Sequence, residues 1–187
     1  MKNQILKLTF VLFLICAIVA AVLGGVNELT HQRIDQLQKE KTEKAYRAVL
    51  DSDSYTDLGL ETQTIVANGQ KVKINSVARA DNGNGYVVEA TFSGAQGNIT
   101  MVVGVNAEYK CTGISVIKHS ETSGLGANAA STADVGVNFR AQFKGQDESI
   151  ALRKDGGKID ALSGATITSR SVTNATLAAI KAVQALG

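Results

Sequence analysis

The span Ile5–Val26 constrains the chain most. It is apolar almost throughout, broken only by Lys7 and Thr9 near one end. In a bilayer every backbone polar group must be satisfied within the segment, so such a run spans as a helix. At roughly 1.5 Å per residue it would be about 33 Å long, enough for a hydrocarbon core of about 30 Å. Lys2 and Lys7 lie on its N-terminal side and Lys7 can snorkel, which favours an N-terminus inside and the remainder outside. A cleaved signal peptide is the competing reading, because Ala17–Ala21 is rich in small residues. The run exceeds the roughly 7–15 apolar residues of a signal core, so a retained anchor, residues 1–27, is expected. A lipid anchor on Cys16 is disfavoured by Ile15, which stands where a small residue is needed. Between Phe10 and Leu23 nothing is ionisable except the thiol of Cys16, so the span offers no route for ions.

Residues 28–60 change character. Leu29, Ile34, Leu37, Ala45, Val49 and Leu50 recur at helical intervals among charges, which predicts a stalk. It either continues the membrane helix or lays one face on the domain or a partner. Asp51-Ser52-Asp53-Ser54 ends it, and the stretch to Leu60 reads as a connection.

Residues 61–187 are expected to form one domain. Thr64–Ala67, Val72–Arg79, Tyr86–Phe92, Ile99–Asn106 and Gly113–Lys118 are rich in Val, Ile, Thr and Tyr, and Asn68-Gly69 and Asp81–Gly85 are turn signals. An antiparallel sheet follows. With no proline in the sequence, its turns fall to Gly, Asn, Asp and Ser. Ser93–Gly97 reads as a glycine loop, and Ser131–Phe143 as a short helix or irregular segment. Ile150–Arg153 and Lys158–Ala161 suggest short strands around Asp155-Gly156-Gly157, before a last helix over Ser163–Leu186. The net charge of +2 arises from 19 basic and 17 acidic residues without a basic block, so there is no footprint for nucleic acid. Neither Cys16 nor Cys111 has a ligand-spaced Cys or His neighbour, and His31 and His119 are far apart, so no metal site is expected.

The chemistry concentrates in Asp160-Ala161-Leu162-Ser163-Gly164-Ala165-Thr166-Ile167-Thr168-Ser169. Four hydroxyls and a glycine open a helix whose first N–H groups have no internal partner, which suits a phosphate. Gly164 allows close approach to the backbone. Taken alone, Ser-Gly-Ala-Thr is better read as a helix cap at Ser163 with solvated hydroxyls. A second string, His119-Ser120-Glu121-Thr122-Ser123-Gly124-Leu125-Gly126, follows a strand and sets an acid, three hydroxyls and two glycines in a loop.

Together, Asp160-x-x-Ser163-Gly164-Ala165-Thr166, the Asp-Gly-Gly segment and the 119–126 string resemble the FMN-binding domain family. Within it the match is to G subunits of Rnf electron-transport complexes, whose loop reads His-x-Glu-Thr-Pro-Gly-Leu-Gly. Ser123 departs from that proline. The resemblance implies an α+β protein: an N-terminal transmembrane helix and helical stalk, then an antiparallel-sheet FMN-binding domain with packed helices. It implies FMN joined by a phosphoester to Thr166, with Ser163, Gly164 and Ala165 around it and Glu121, Thr122, Gly124 and Leu125 against the flavin. It implies that Asp160 serves recognition by a magnesium-dependent FAD:protein FMN transferase. Arg170, one turn beyond Thr166, either faces the phosphate or is solvated. The implied setting is the cytoplasmic (inner) membrane, single-pass in lipid, with the FMN domain on the extracytoplasmic side among other subunits. The implied task is electron relay between ferredoxin and NAD in an ion-translocating complex, as one subunit and not a complete enzyme. Two alternatives stand: a C-type subunit of sodium-pumping NADH:quinone reductase, and a non-redox membrane-anchored binding module.

N-terminal sequencing of the membrane-extracted protein tests the anchor. The expected mature chain retains Ile5–Val26, and one starting near Gly24 would mean a signal peptide.

Overall fold

The computed structural model describes residues 2–60 and 62–186, the side chains of Lys2, Asn3, Leu29, Gln32 and Asp35 excepted. Met1, Glu61 and Gly187, which bound expected segments, and the Lys2 and Leu29 side chains therefore lie outside the described residues. The chain divides into two compact units, Met1–Lys41 and Thr42–Gly187. Helix α1, Lys2–Val49, accounts for the first, and its last turns belong to the second. Within α1, Gln4–Glu28 has a mean hydropathy of 2.8 over its most apolar window and is long and apolar enough to cross a membrane.

The second unit is built on an antiparallel sheet. Its strands are β1 (Tyr55–Asp57), β2 (Gln63–Ala67), β3 (Gln70–Ala80), β4 (Gly85–Ser93), β5 (Asn98–Asn106) and β6 (Cys111–Lys118). The order is β1-β3-β4-β5-β6, with β2 also paired to β3. Asn68-Gly69 makes the tight β2–β3 turn, both residues at positive φ (48° and 80°), the backbone such a turn demands. β1 is absent from the sequence expectation, which took its residues as connection. Three residues are too short to show a period, and β1 is held by pairing with Ala78–Ala80.

Strand alternation gives the sheet two buried faces. Val88, Ala90, Phe92, Met101, Val103 and Val105 face the main core. Val87, Val102 and Ala80 form a second cluster with Ala45, Val49 and Leu50 from the end of α1. The stalk pattern thus ends by laying apolar residues on the sheet. Gly104 and Gly113 oppose each other across β5 and β6 and leave a notch for that end. A Cβ at Gly104 would strike the Val49 carbonyl and the Thr112 side chain, and the Thr112 hydroxyl donates to Val49 O.

On the main-core face lies the last helix, α3, Thr166–Gln184, with Val172, Ala175, Ala179, Ile180 and Val183 in the core. It begins three residues later than expected. Between β6 and α3 run a 3-10 turn at Gly126–Ala130, helix α2 (Asp134–Ala141) and a 3-10 turn at Arg153–Asp155. The two short strands expected near Asp155-Gly156-Gly157 reduce to one parallel bridge, Leu152 to Ile159. The intervening glycines explain it: Gly156 is left-handed (φ 89°), and a Cβ on Gly157 would enter the Ala151 backbone, so the chain folds back tightly instead of extending.

Gly104→Ala tests the docking of the α1 end. The added methyl should overpack the notch and cost about 1–3 kcal/mol, read as a lower unfolding midpoint of the detergent-solubilised chain. An unchanged midpoint would show that Val49 does not depend on this notch.

Candidate functional site

The start of α3 fixes the geometry of the first motif. Ala165 occupies the cap position (φ −129°, ψ 43°) with no side-chain capping bond. Ser169 N–H is the first to close a helical turn, on Ala165 O at 3.0 Å. The N–H groups of Thr166, Ile167 and Thr168 precede it and have no intrahelical acceptor. Ser163 is therefore not the cap. The stabilising side chain is Ser169, whose hydroxyl accepts from Leu162 N–H (3.0 Å) and donates to Ala165 O (2.9 Å).

The four hydroxyls thus separate into two pairs. Ser169 and Thr168 are buried and committed, Thr168 donating to the Glu121 carboxylate. Ser163 is exposed and Thr166 half-buried, and among the described residues neither hydroxyl has a hydrogen-bond partner. Thr166 lines two cavities. One, of about 290 Å³, is formed with Ala95, Gln96, Glu121, Thr122, Leu125, Gly126, Gly164, Ala165, Ile167 and Thr168. The other, of about 440 Å³, is lined among others by Arg153, Lys154, Asp160, Ser163 and Gly164.

The first cavity joins the two motifs. Gly164 is left-handed (φ 69°), and a Cβ there would lie 2.9 Å from Leu125 Cδ2. Glu121, Thr122, Leu125, Gly164, Ala165 and Thr166, all singled out in the sequence, meet at this cleft. Ser163 and Asp160 line the adjoining cavity. Gly124 sits at a left-handed turn (φ 77°) with open space around it, outside both linings. The Glu121 carboxylate is taken up by the chain itself: Oε1 accepts from Ala95 N–H and Gln96 N–H at 3.0 Å each, and Oε2 from Thr168. The glycine loop after β4, read from the sequence as an ordinary turn, is consequently a third wall of the cleft.

Asp160 is exposed yet held on both sides. Arg153 donates to it through two nitrogens (2.6 and 3.0 Å), and Gln142 brackets its backbone, accepting from its N–H at 2.7 Å. Hydrogen bonding and charge from Arg153 hold its carboxyl below the usual carboxylate range. Arg170 does not face Thr166 unpaired. It donates bidentately to Asp155 at 2.7 and 2.9 Å, tying the Asp-Gly-Gly turn to α3. Arg153 and Gln142 escaped the sequence reading because neither belongs to a motif, and their pairing depends on the tight turn at Gly156-Gly157.

What the site can hold follows from its parts. A hydroxyl without a partner, free helix N–H groups beside it and a glycine-backed cleft with exposed Leu125 and Ile167 suit a planar aromatic ligand carrying a phosphate. The profile of the FMN-binding domain family matches residues 94–181, which span all three cleft walls. That of the RnfG N-terminal region matches residues 1–49. Fold and site define the class: a flavin-binding α+β domain led by an N-terminal apolar helix. The G subunit of the ion-translocating oxidoreductase complex of Methanosarcina acetivorans is 34% identical over 98% of this chain and 97% of its own. Its counterpart in Haemophilus influenzae is 32% identical over 87% of this chain and 81% of its own. The G subunit of the proton-translocating ferredoxin:NAD(+) oxidoreductase complex of Clostridium ljungdahlii is 30% identical over 97% and 93%. The chain belongs to this family of G subunits. In fold it also resembles the C subunit of the Na(+)-translocating NADH-quinone reductase of Parabacteroides distasonis, with a TM-score of 0.52 and 21% identity over 81% of this chain and 95% of that one.

The Arg170–Asp155 pair makes a pH prediction. Arg170 holds the Asp155 carboxyl below its ordinary value, so the pair's contribution is present above the ordinary carboxylate range and lost as pH falls through the lowered value. Thermal melts of wild type and Asp155→Asn from neutral pH down to about pH 3 should therefore converge in acid. A gap that stays constant across that range would refute the pair's role.

Proposed function

We propose that this chain is the membrane-anchored flavoprotein subunit of an Rnf-type ion-translocating ferredoxin:NAD oxidoreductase complex. It relays electrons through FMN bound covalently at Thr166. The observation that carries the attachment is the pairing state of the hydroxyls at the head of α3. Thr168 and Ser169 are consumed by the fold, while Thr166, which lines both cavities, has no hydrogen-bond partner among the described residues. Ser163 is also unpaired but lies before the helix, away from the free N–H groups that favour a phosphate.

In this reading the isoalloxazine supplies the redox chemistry, and the protein sets its place and surroundings. Leu125 and Ile167 offer apolar surface, Gly164, Ala165 and Gly124 keep the backbone accessible, and Thr122 adds a polar contact. Attachment is the work of an FAD:protein FMN transferase. Thr166 Oγ would hold the FMN phosphate as a phosphoester, formed from FAD with AMP as the leaving group and release of the hydroxyl proton. Asp160, which Arg153 and Gln142 fix on the rim of the adjoining cavity, would offer its carboxylate to that enzyme and its magnesium, and its exposure supports this reading. Helix Gln4–Glu28 holds the chain in the lipid of the cytoplasmic membrane, N-terminus inside and FMN domain outside. Electrons pass to and from other subunits, so the chain is not a complete enzyme alone.

Thr166→Ala, co-expressed with the transferase, should lose the fluorescent band on a denaturing gel. Its stability should change by only about 0.5 kcal/mol, because the hydroxyl it removes has no partner among the described residues. Peptide mapping of wild type should find the flavin phosphate on Thr166. Flavin on Ser163, or on no residue, would overturn the assignment.

A further inference from the structure

Glu121 carries a charge that the fold does not neutralise. It is 8% exposed, the one buried carboxylate among the described residues. Its oxygens accept from three donors on two other segments, Ala95 and Gln96 after β4 and Thr168 on α3. All three donors are neutral, and among the described residues no Lys or Arg pairs with it. Gly94 and Gly126 close in on it so tightly that a Cβ on either would strike its oxygens. Such packing holds the carboxylate in one place on the cleft wall.

We infer that Glu121 is a positioning residue that joins the three walls of the cleft and whose uncompensated negative charge holds the bound flavin at a lower reduction potential. The inference rests on the proposed FMN reading. A flavin taking up two electrons and one proton would gain one net negative charge. A carboxylate fixed on the wall of its cleft would oppose that gain, and a buried charge is screened far less than a surface one. The three donors stabilise the charge without cancelling it.

Glu121→Gln separates charge from shape. The amide oxygen can still accept from Ala95 and Gln96, and the amide nitrogen can face the Thr168 hydroxyl. Thr168→Val does the reverse: it keeps the charge and removes one donor. The full-length chain and both variants are made with the transferase, their flavin content is measured by absorbance, and midpoints are found by dithionite titration with mediators. Glu121→Gln should load fully and shift the reduction equilibrium at least tenfold toward reduced flavin, about 30 mV for a two-electron couple. Thr168→Val should stay at or below the wild-type midpoint. A fully loaded Glu121→Gln with an unchanged midpoint overturns the inference. A rise in Thr168→Val matching Glu121→Gln does so too, since it would mean that loosening and not charge moves the potential. Should Glu121→Gln fail to fold, Thr168→Val decides alone: a rise overturns the inference, and no change or a fall supports it. Wild type without flavin is a different failure, that of the FMN reading itself.

Discussion

The burial of α3 is the constraint on which the rest of the domain depends. Every residue from Ser171 to Ile180 is buried, far more than the one-sided stripe of a surface helix. A helix enclosed this way must be narrow and must have its polar groups satisfied by protein partners and not by water. Ala175, Ala178, Ala179 and Ala182 provide the first condition. The second is met by Thr173 and Thr176, whose hydroxyls return to the carbonyls of Ser169 and Val172, and by Asn174, which bonds to Gln70 and Asn68. Close packing leaves little freedom for the helix to slide. The position of its first residue, Thr166, is therefore set by contacts well down the helix.

Much of this was legible in the sequence. The five longer strands follow from runs of β-branched residues between turn signals, and both motifs were found as strings before their meeting place was known. What escaped had a common physical cause: it depends on contacts set by the folded geometry, which no local sequence pattern encodes. Glu121 reads as an acid in a polar loop, and only its three donors reveal it as an internal tie. Arg170 reads as a cation one turn from Thr166, and only the fold brings Asp155 to it. Ser163 has the chemistry of a cap, but Gly164 turns the chain left-handed behind it, and Ser169, six residues on, stabilises the helix start instead. Local propensity names candidates for a cap, and tertiary geometry chooses among them.

The two faces of the sheet divide the work. One is occupied by α3 and presents Thr166 at its end, and the other receives the last turn of α1 through the Gly104–Gly113 notch. Val87 and Val88 are adjacent in sequence and buried on opposite sides, so β4 connects the two clusters directly. The helix end is thereby part of the folded unit, and the boundary of that unit falls within the charged stretch of α1 and not at the end of the helix.

The proposed phosphoester answers a difficulty that the cleft itself poses. At about 290 Å³ it lies at the low end of the roughly 300–1,000 Å³ typical of small-molecule pockets. Leu125 and Ile167 remain 43% and 61% exposed on its lining, so a flavin there would bury limited area. An open face favours electron exchange with a partner, while weak burial lowers affinity and shortens residence. Deepening the pocket would restore affinity at the cost of access. A single bond from Thr166 to the phosphate separates the two demands, because tethering supplies a high effective concentration without covering the ring. The free N–H groups at the head of α3 then need only orient the phosphate, and Glu121, fixed on the cleft wall, remains free to act on potential and not on retention.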